Sequence, residues 1–370
     1  FAIASCQRWD TGHYAAWRHA AAEPLDLVLF LGDYIYEYAT TGADAVRAHD
    51  GGLVHTLAQY RARYAQYKSD AALQAAHAAC PWLVIADDHE VENDYAGLQG
   101  QLLQPGFAAQ RAAAYQAWWE HMPLPKAARP VDGQLRMHGR LDWGRLARLH
   151  LLDTRQFRDA QSCPRPGRGG SNTVRVKDCP DLVDPKRSLL GAAQERWLAE
   201  GWDLQRPWNL LAQTTLMARF SDEAVQPDGG RVWTDGWDGY PASRQRLLAT
   251  LAERRVPGVV ALGGDVHANY VADLKLDFGD LRSPVLASEF CGTSISSLGR
   301  AQDRVTAALP LNPHVHLGRS DRRGYVHFKL DERQLQARLR VVDDARNPAS
   351  GAGTLASFVV DAKRPGPQAA

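Results

Sequence analysis

Residues 25–37 read LDLVLFLGDYIYE. The first seven residues form an apolar run of strand length, which predicts a buried strand of a sheet. Asp33 follows this strand directly, and Tyr36 lies three residues further along the chain. Because α/β sheets bind ligands outside the carboxyl ends of their strands, we expect the carboxylate of Asp33 and the phenol of Tyr36 to face one crevice.

The same arrangement occurs at three other places in the chain. The apolar run 1–5 leads into Cys6, the run 82–86 leads into Asp87, Asp88 and His89, and the run 258–262 leads into GGDVH, which ends at His267. Sulfur, carboxylates, a phenol and imidazoles supply both soft and hard donors. Such a donor set predicts a mixed site, with a trivalent transition metal beside a harder divalent cation.

Each of these residues has a simpler explanation when it is taken alone. An aspartate after a strand is usually a turn former or a helix cap. A lone cysteine is usually a small buried hydrophobe, and a lone histidine is usually a core residue. The repetition at four strand ends favours the metal site over these alternatives.

Composition limits the class of protein. The chain has 370 residues, of which 45% are hydrophobic and 23% are charged, so it can bury a large core as one large α/β domain or two smaller ones. The net charge of +1 provides no global field to attract nucleic acid or anionic lipid. No apolar run has the length of a membrane helix. An anionic ligand must therefore be recognised by a local site.

Periodicity and turn residues predict the elements that surround the four strand ends. Helices are expected over residues 13–23, 55–79, 106–121, 191–205 and 241–255. A hairpin is expected over 140–152, a buried strand over 208–213, and mostly antiparallel strands over 285–290, 324–330, 334–342 and 355–361. Residues 292–319 are expected to be polar and flexible, and the tail 364–367 is expected to fray.

The cysteines divide into two kinds. Cys80 and Cys291 lie in apolar contexts and are expected to be buried and unpaired. Cys163 and Cys179 bracket a loop rich in proline, glycine and arginine. These two are either free thiols of a reducing cytosol or a disulfide, which would restrain the loop by about 3 kcal/mol.

Five motifs carry a resemblance to a known family. They are ASCQ at 4–7, LGDYIYE at 31–37, DDHEV at 87–91, LDTRQFR at 152–158 and GGDVHAN at 263–269. Together, and in this order, they resemble the PhoD-type alkaline phosphatases of the metallophosphoesterase superfamily. The resemblance implies a four-layer α/β sandwich, in which two mixed β-sheets are flanked by helices, and a single catalytic domain over residues 1–370.

The resemblance also implies a location. PhoD-type proteins carry a twin-arginine (Tat) export signal and often a small β-rich domain before the catalytic domain, and neither is found in these residues. We therefore expect a periplasmic or secreted protein, monomeric and without a membrane span. Export favours the disulfide between Cys163 and Cys179.

The resemblance implies two sets of metal ligands. The ligands of Fe³⁺ would be Cys6, Asp33, Tyr36 and His267. The ligands of Ca²⁺, as one or two ions, would be Asp33, Asp88, Asn93 and Asp265. Asp33 would bridge the two metals.

Two further residues are expected to act on the substrate. His89 would donate a proton to the leaving oxygen or stabilise charge there; alternatively, it orients Asp88. Arg155 follows a strand end, and its guanidinium fork suits a phosphate group. An ion pair between Arg155 and Asp153 is the alternative.

The implied activity is hydrolysis of small phosphate monoesters and diesters, with phosphate as a product. Two neighbouring cations can generate a bridging oxide or hydroxide that attacks phosphorus, so no serine nucleophile is required. A phospholipase D of the same branch would share these ligands and differ in the shape of its pocket. A non-enzymatic metal-binding protein is disfavoured, because a structural site needs no acid such as His89.

Overall fold

The computed structural model describes residues 1–370 and contains sixteen strands and seven α-helices. In chain order the strands are β1 (Ala2–Ala4), β2 (Val28–Leu31), β3 (Trp82–Ile85), β4 (Gly139–Trp143), β5 (Ala147–Leu151), β6 (Thr173–Arg175), β7 (Trp208–Ala212), β8 (Arg231–Trp233), β9 (Val259–Gly263), β10 (Asn269–Lys275), β11 (Val285–Cys291), β12 (Val315–Arg319), β13 (Arg323–Leu330), β14 (Gln334–Val342), β15 (Ala352–Asp361) and β16 (Arg364–Ala369). The helices are α1 (Ala15–Ala21), α2 (Leu57–Lys68), α3 (Ala71–Ala79), α4 (Phe107–His121), α5 (Ala192–Glu200), α6 (Pro241–Arg254) and α7 (Gln302–Ala308).

Two seven-stranded sheets form the centre of the molecule. The first has the strand order β16-β15-β14-β13-β1-β2-β3, and the second has the order β12-β10-β11-β9-β7-β5-β4. In the first sheet β1, β2 and β3 are parallel, and in the second sheet β5, β7, β9 and β11 are parallel. Antiparallel strands complete the sheets around these parallel segments. The parallel segments bring several strand carboxyl ends to one edge.

The two sheets pack face to face. Their interface is an apolar core that contains Leu29 and Ile85 from the first sheet and Leu210, Val260 and Leu262 from the second. A second core cluster joins the outer face of the first sheet to helices α1 to α4, and a third joins the outer face of the second sheet to α5, α6 and α7. The order helix, sheet, sheet, helix confirms the expected four-layer architecture.

The predicted helix over 55–79 is two helices. Ser69 ends α2, and the side chain of Asp70 accepts hydrogen bonds from the backbone N–H groups of Ala72 and Leu73, which makes it the N-cap of α3. The tyrosines on α2 are buried core residues, as expected.

The C-terminal third is more ordered than the sequence predicts. The segment expected to be flexible, 292–319, contains α7 and β12. The tail expected to fray forms β16, which pairs with β15 and is itself the edge strand of the first sheet. Cys163 and Cys179 form a disulfide, and Cys80 and Cys291 are unpaired. None of the helices combines the length and the apolar character that a membrane crossing requires.

Candidate metal centre

Four loops that follow parallel strands converge on one site. Cys6 follows β1, Asp33 follows β2, Asp88 follows β3, and Asp265 and His267 follow β9 in the opposite sheet. Cys6, Asp33, Asp265 and His267 all have positive φ, between 52° and 63°. Residues other than glycine rarely adopt this left-handed conformation, which costs about 1 kcal/mol or more each. Such strain is typical of functional sites, and here it turns each donor into the space between the sheets.

Glycines let the loops approach one another closely. Gly32 precedes Asp33 with a φ of +96°, and a Cβ atom there would lie 2.4 Å from the Cβ of Asp87. A Cβ on Gly264, which precedes Asp265, would lie 2.3 Å from the Oγ of Ser5. The Gly-Asp pairs of the two motifs therefore have a steric reason.

One side of the site combines sulfur, phenol and imidazole. The ligand atoms of Cys6, Asp33 and His267 all lie within 4.8 Å of one another. The Tyr36 hydroxyl lies 3.0 Å from Oδ2 of Asp33 and 3.2 Å from Nε2 of His267. We call Cys6, Tyr36 and His267 the mixed-donor half. Asp33 lies next to these residues and also next to the carboxylates described below.

The side chain of His267 is oriented as a metal ligand requires. Its Nδ1 lies 2.6 Å from the carbonyl oxygen of Leu298, so Nδ1 carries the proton and donates to that oxygen. Nε2, with its lone pair, then faces Tyr36. Burial lowers the pKa of His267 to about 3, so the imidazole is neutral.

The other side of the site is made of carboxylates. The ligand oxygens of Asp88, Asp94 and Asp235 lie within 4.8 Å of one another, and those of Asp33, Asp87 and Asp265 form a second such group. We call Asp88, Asp94, Asp235 and Asp265 the carboxylate half. Asp94 and Asp235 were not among the predicted ligands. The signal for Asp94 was its position in the oxygen-rich run after Asp88, but Asp235 is distant in sequence.

The buried carboxylates are incompletely satisfied by the protein. Oδ1 of Asp33, Oδ2 of Asp87 and Oδ2 of Asp265 are buried and have no hydrogen-bond partner. Burial raises the pKa of Asp33 and Asp265 well above the usual range, and neighbouring carboxylates add to the effect. Unpartnered buried anions are costly unless a cation lies between them. The donors and their environment therefore fit metal ions.

Arg155 does not lie where the phosphate-binding hypothesis requires. It is buried and does not line the cavity; its guanidinium is 2.6 Å from Asp87, 2.8 Å from Asp235 and 3.7 Å from Asp88. The alternative, an ion pair between Arg155 and Asp153, is also absent. The Asp153 side chain accepts a hydrogen bond from the backbone N–H of Arg155, not from its guanidinium. The three buried carboxylates require a nearby positive charge, and Arg155 supplies it from behind the site.

His89 contacts Glu37 on one side and Tyr36 of the mixed-donor half on another. Its Nδ1 is 2.7 Å from Oε2 of Glu37, and its ring stacks on that of Tyr36 with centroids 4.0 Å apart. Burial alone would lower the pKa of His89, but Glu37, Asp88 and Asp33 raise it well above the usual value. His89 also lines the cavity described below.

Arg8 is a candidate that the sequence interpretation missed. Its Nε donates to Asp10 at 2.8 Å, and one terminal nitrogen donates to the Tyr38 hydroxyl at 3.2 Å. The other terminal nitrogen is buried without a partner, although Arg8 lines the same cavity as the metal-ligand candidates. The only signal in the sequence was its position two residues after Cys6.

A cavity of 480 Å³ opens over both halves of the site. The predicted residues that line it are Asp33, Tyr36, Asp88, His89, Asn93, Asp265 and His267. Two candidate ligands, Cys6 and Asp235, are buried and absent from the lining. The aromatic loop 233–240 contributes Trp233 and Trp237 to the wall. The site can therefore admit a small molecule beside the candidate metal ligands.

Fold and site together define a four-layer α/β protein with a buried, carboxylate-rich centre able to hold metal ions. The PhoD-like phosphatase family model matches residues 1–339, so the chain belongs to the PhoD-like phosphatase family. This finding confirms the resemblance drawn from the five motifs.

Two known proteins are similar over nearly the whole chain. Alkaline phosphatase D of Bacillus subtilis (strain 168) is 40% identical over 371 aligned residues, which cover 97% of this chain and 61% of that protein. A solved structure of PhoD superposes with a TM-score of 0.92 at 39% identity and covers 100% of this chain and 70% of that one. The chain thus spans about three fifths of the length of the curated relative.

Proposed function

We propose that this chain is a metal-dependent alkaline phosphatase that hydrolyses phosphate monoesters and diesters. The observation that carries the proposal is the set of buried, unpartnered carboxylate oxygens beside a thiol, a phenol and an imidazole, beneath a cavity that admits a small ester. Similarity to alkaline phosphatase D of Bacillus subtilis supports the same activity.

The proposed metals follow the two kinds of donor. Fe³⁺ would be held by Cys6, Asp33, Tyr36 and His267, because thiolate and phenolate are the ligands that a trivalent transition metal stabilises. Ca²⁺ would be held by Asp33, Asp88, Asn93 and Asp265, with Asp94 and Asp235 near enough to take part, because calcium prefers oxygen ligands in flexible geometry. When bound, the cations supply a nucleophile at neutral pH and neutralise charge on the phosphoryl oxygens.

The protein groups have complementary roles. The protonated imidazole of His89 lines the cavity. Glu37 fixes the orientation of this ring, because its Oε2 lies 2.7 Å from Nδ1 of His89. This imidazole is the proposed donor to the leaving oxygen. Arg8 offers its unpartnered nitrogen to a nonbridging oxygen of the substrate. Arg155 positions Asp88 from behind the site and does not contact the substrate in this proposal.

We also propose that the protein works outside the cytoplasm. The disulfide between Cys163 and Cys179 supports this location, because disulfides persist in oxidising compartments. The chain is proposed to act as a monomer.

The test uses p-nitrophenyl phosphate and bis-p-nitrophenyl phosphate across the pH range, with protein reconstituted with iron and calcium. We expect turnover of both esters and a maximum above neutrality. No turnover of the diester would contradict the broad specificity, and a maximum below neutrality would contradict the alkaline assignment. Release of choline from phosphatidylcholine, without turnover of either soluble ester, would favour a phospholipase D instead.

A further inference from the structure

The cavity continues beyond the metal centre into a second region. Its walls carry three arginines and three aromatic rings, together with one acidic residue that pairs with two of the arginines. We call this region the distal lobe; its residues are Arg231, Arg300, Arg304, Phe220, Trp233, Tyr270 and Asp222.

Positive charge dominates the distal lobe. Arg231 and Arg300 share Oδ2 of Asp222 at long distances of 3.6 Å and 3.7 Å. Arg304 forms no ion pair. The only other carboxylate in this wall, Asp238, is already paired with Arg244 at 2.7 Å. Three guanidinium groups therefore face one available carboxylate, an excess of two positive charges.

The wall that carries Arg231 and Trp233 is braced from behind. Both residues lie on β8, which pairs with β6 in a two-stranded ribbon. Between them, Val232 packs against Cys179 and Leu182, so the disulfide lies in the small core beneath the ribbon. The ribbon therefore presents its arginine and tryptophan to the cavity from a cross-linked base.

Another part of the wall is apolar. The rings of Phe220 and Tyr270 lie with their centroids 5.0 Å apart and are tilted by 57°. Such a surface suits the carbon skeleton of an alcohol, whereas the arginines around it suit an anion. Guanidinium groups bind phosphate through paired N–H donors more specifically than a diffuse positive field does.

We propose that the distal lobe binds a second phosphate group of the substrate, carried on the alcohol that is esterified to the scissile phosphorus. The inference rests on the proposed phosphatase function and adds a substrate class to it: phosphate esters with a further anionic group. The aromatic rings contact the linking alcohol, and the three arginines hold the remote phosphate.

The test compares two substrates that differ only in the remote phosphate. These are thymidine 5′-(p-nitrophenyl phosphate) with and without a 3′-phosphate, and release of p-nitrophenol is measured. Because a hydrogen bond to a charged group contributes about 1.5–3 kcal/mol, we expect the 3′-phosphate to raise kcat/KM roughly tenfold or more, mainly through KM. The advantage should shrink as salt increases.

The double variant Arg300→Gln/Arg304→Gln should bring the ratio of the two kcat/KM values close to one. Arg282→Gln is the matched control, since the Arg282 side chain is 94% exposed and lies outside the cavity; it should keep the wild-type ratio. A wild-type ratio near one, or an unchanged ratio in the double variant, would overturn the proposal.

A binding measurement separates this proposal from the catalytic one. Calorimetry should show thymidine 3′,5′-bisphosphate binding about tenfold more tightly than thymidine 5′-phosphate, and the double variant should remove the difference. If the metallated protein turned over neither ester, the phosphatase proposal would fail, and this calorimetric difference would still decide whether the distal lobe binds phosphate. Equal affinities for the two nucleotides would overturn the distal-lobe proposal.

Discussion

The mixed-donor half and the carboxylate half of the centre differ in how their charge is balanced. Burial, with Asp33 as a further cause, raises the pKa of Cys6 and Tyr36 well above the usual values, so both donors are neutral in the unmetallated protein. In the carboxylate half, Arg155 and Arg158 pair with Asp235 at 2.8 Å and 2.9 Å. A buried carboxylate can stay ionised when a guanidinium is paired with it in this way.

This difference explains why two metals would bind differently. A trivalent ion would favour loss of the protons from a buried thiol and a buried phenol more strongly than a divalent ion, and it would then be held by anionic donors. Burial opposes ionisation in the carboxylate half, but Arg155 holds the pKa of Asp88 and Asp235 below the usual values, so these two acids are ionised and partly neutralised. A divalent ion therefore gains less there and exchanges more readily. We therefore expect one tightly held and one loosely held metal.

The largest effect is expected for Asp33→Asn, because Asp33 belongs to ligand groups in both halves. The variant should lose both metals and reduce kcat/KM by about a thousandfold or more, since metal-assisted attack depends on both cations. Metal content and turnover of p-nitrophenyl phosphate check this. Asp26→Asn, at an exposed residue before the same strand, should match the wild type. Retention of both metals in Asp33→Asn would contradict a shared ligand.

Chelation should separate the halves without mutation. If Fe³⁺ binds the phenolate of Tyr36, a visible charge-transfer band is expected. EGTA should abolish turnover while this band persists, and added calcium should restore turnover, because carboxylates hold a hard divalent cation less tightly. Turnover and the visible spectrum are followed in one sample. Simultaneous loss of colour and activity under mild chelation would show that the two halves are not independent.

Arg155→Met probes the charge balance of the carboxylate half. Removing this guanidinium leaves Asp87 without its cation and leaves Asp235 with Arg158 alone, so the free energy of unfolding should fall by about 3–5 kcal/mol, as for other broken buried pairs. Urea unfolding of the metal-free protein measures it. In the control Arg175→Met, the lost pair with Glu223 is exposed to solvent, so the loss of stability should be much smaller than for Arg155→Met. Equal costs would mean that Arg155 has no special structural role.

Arg8→Lys should have the smallest effect of the four. Lysine keeps the positive charge but has a single amino group, which cannot donate to Asp10 and to a substrate in the cavity as the guanidinium can. We therefore expect kcat/KM to fall about tenfold to a hundredfold, with both metals retained. Steady-state kinetics and elemental analysis of the same preparation decide it. An unchanged kcat/KM would remove Arg8 from the proposed substrate contacts.

The sequence predicted best where one strand leads directly to one donor. The apolar runs before Cys6, Asp33, Asp88 and Asp265 predicted both the parallel strands and the convergence of their ends. The prediction failed where contacts come from distant residues: nothing near Asp235 in the sequence reveals its pairing with Arg155 and Arg158. Arg155 itself was assigned to the substrate because its three acidic neighbours come from other parts of the chain.

The errors in the fold have similar causes. The helical pattern over 55–79 is continuous, and only the capping geometry of Asp70 divides it into two helices. The tail was expected to fray as a chain terminus, yet it forms β16 despite Pro365 and Pro367, because β16 is a sheet edge, where a missing N–H is tolerated.

The central claim is that the two halves hold different metals. Anomalous diffraction from crystals of the active protein, measured above and below the iron absorption edge, tests it most directly. We expect one iron peak among Cys6, Asp33, Tyr36 and His267, and density without an iron signal beside Asp88 and Asp265. Iron in both positions, or zinc beside Cys6 in active and colourless protein, would contradict it.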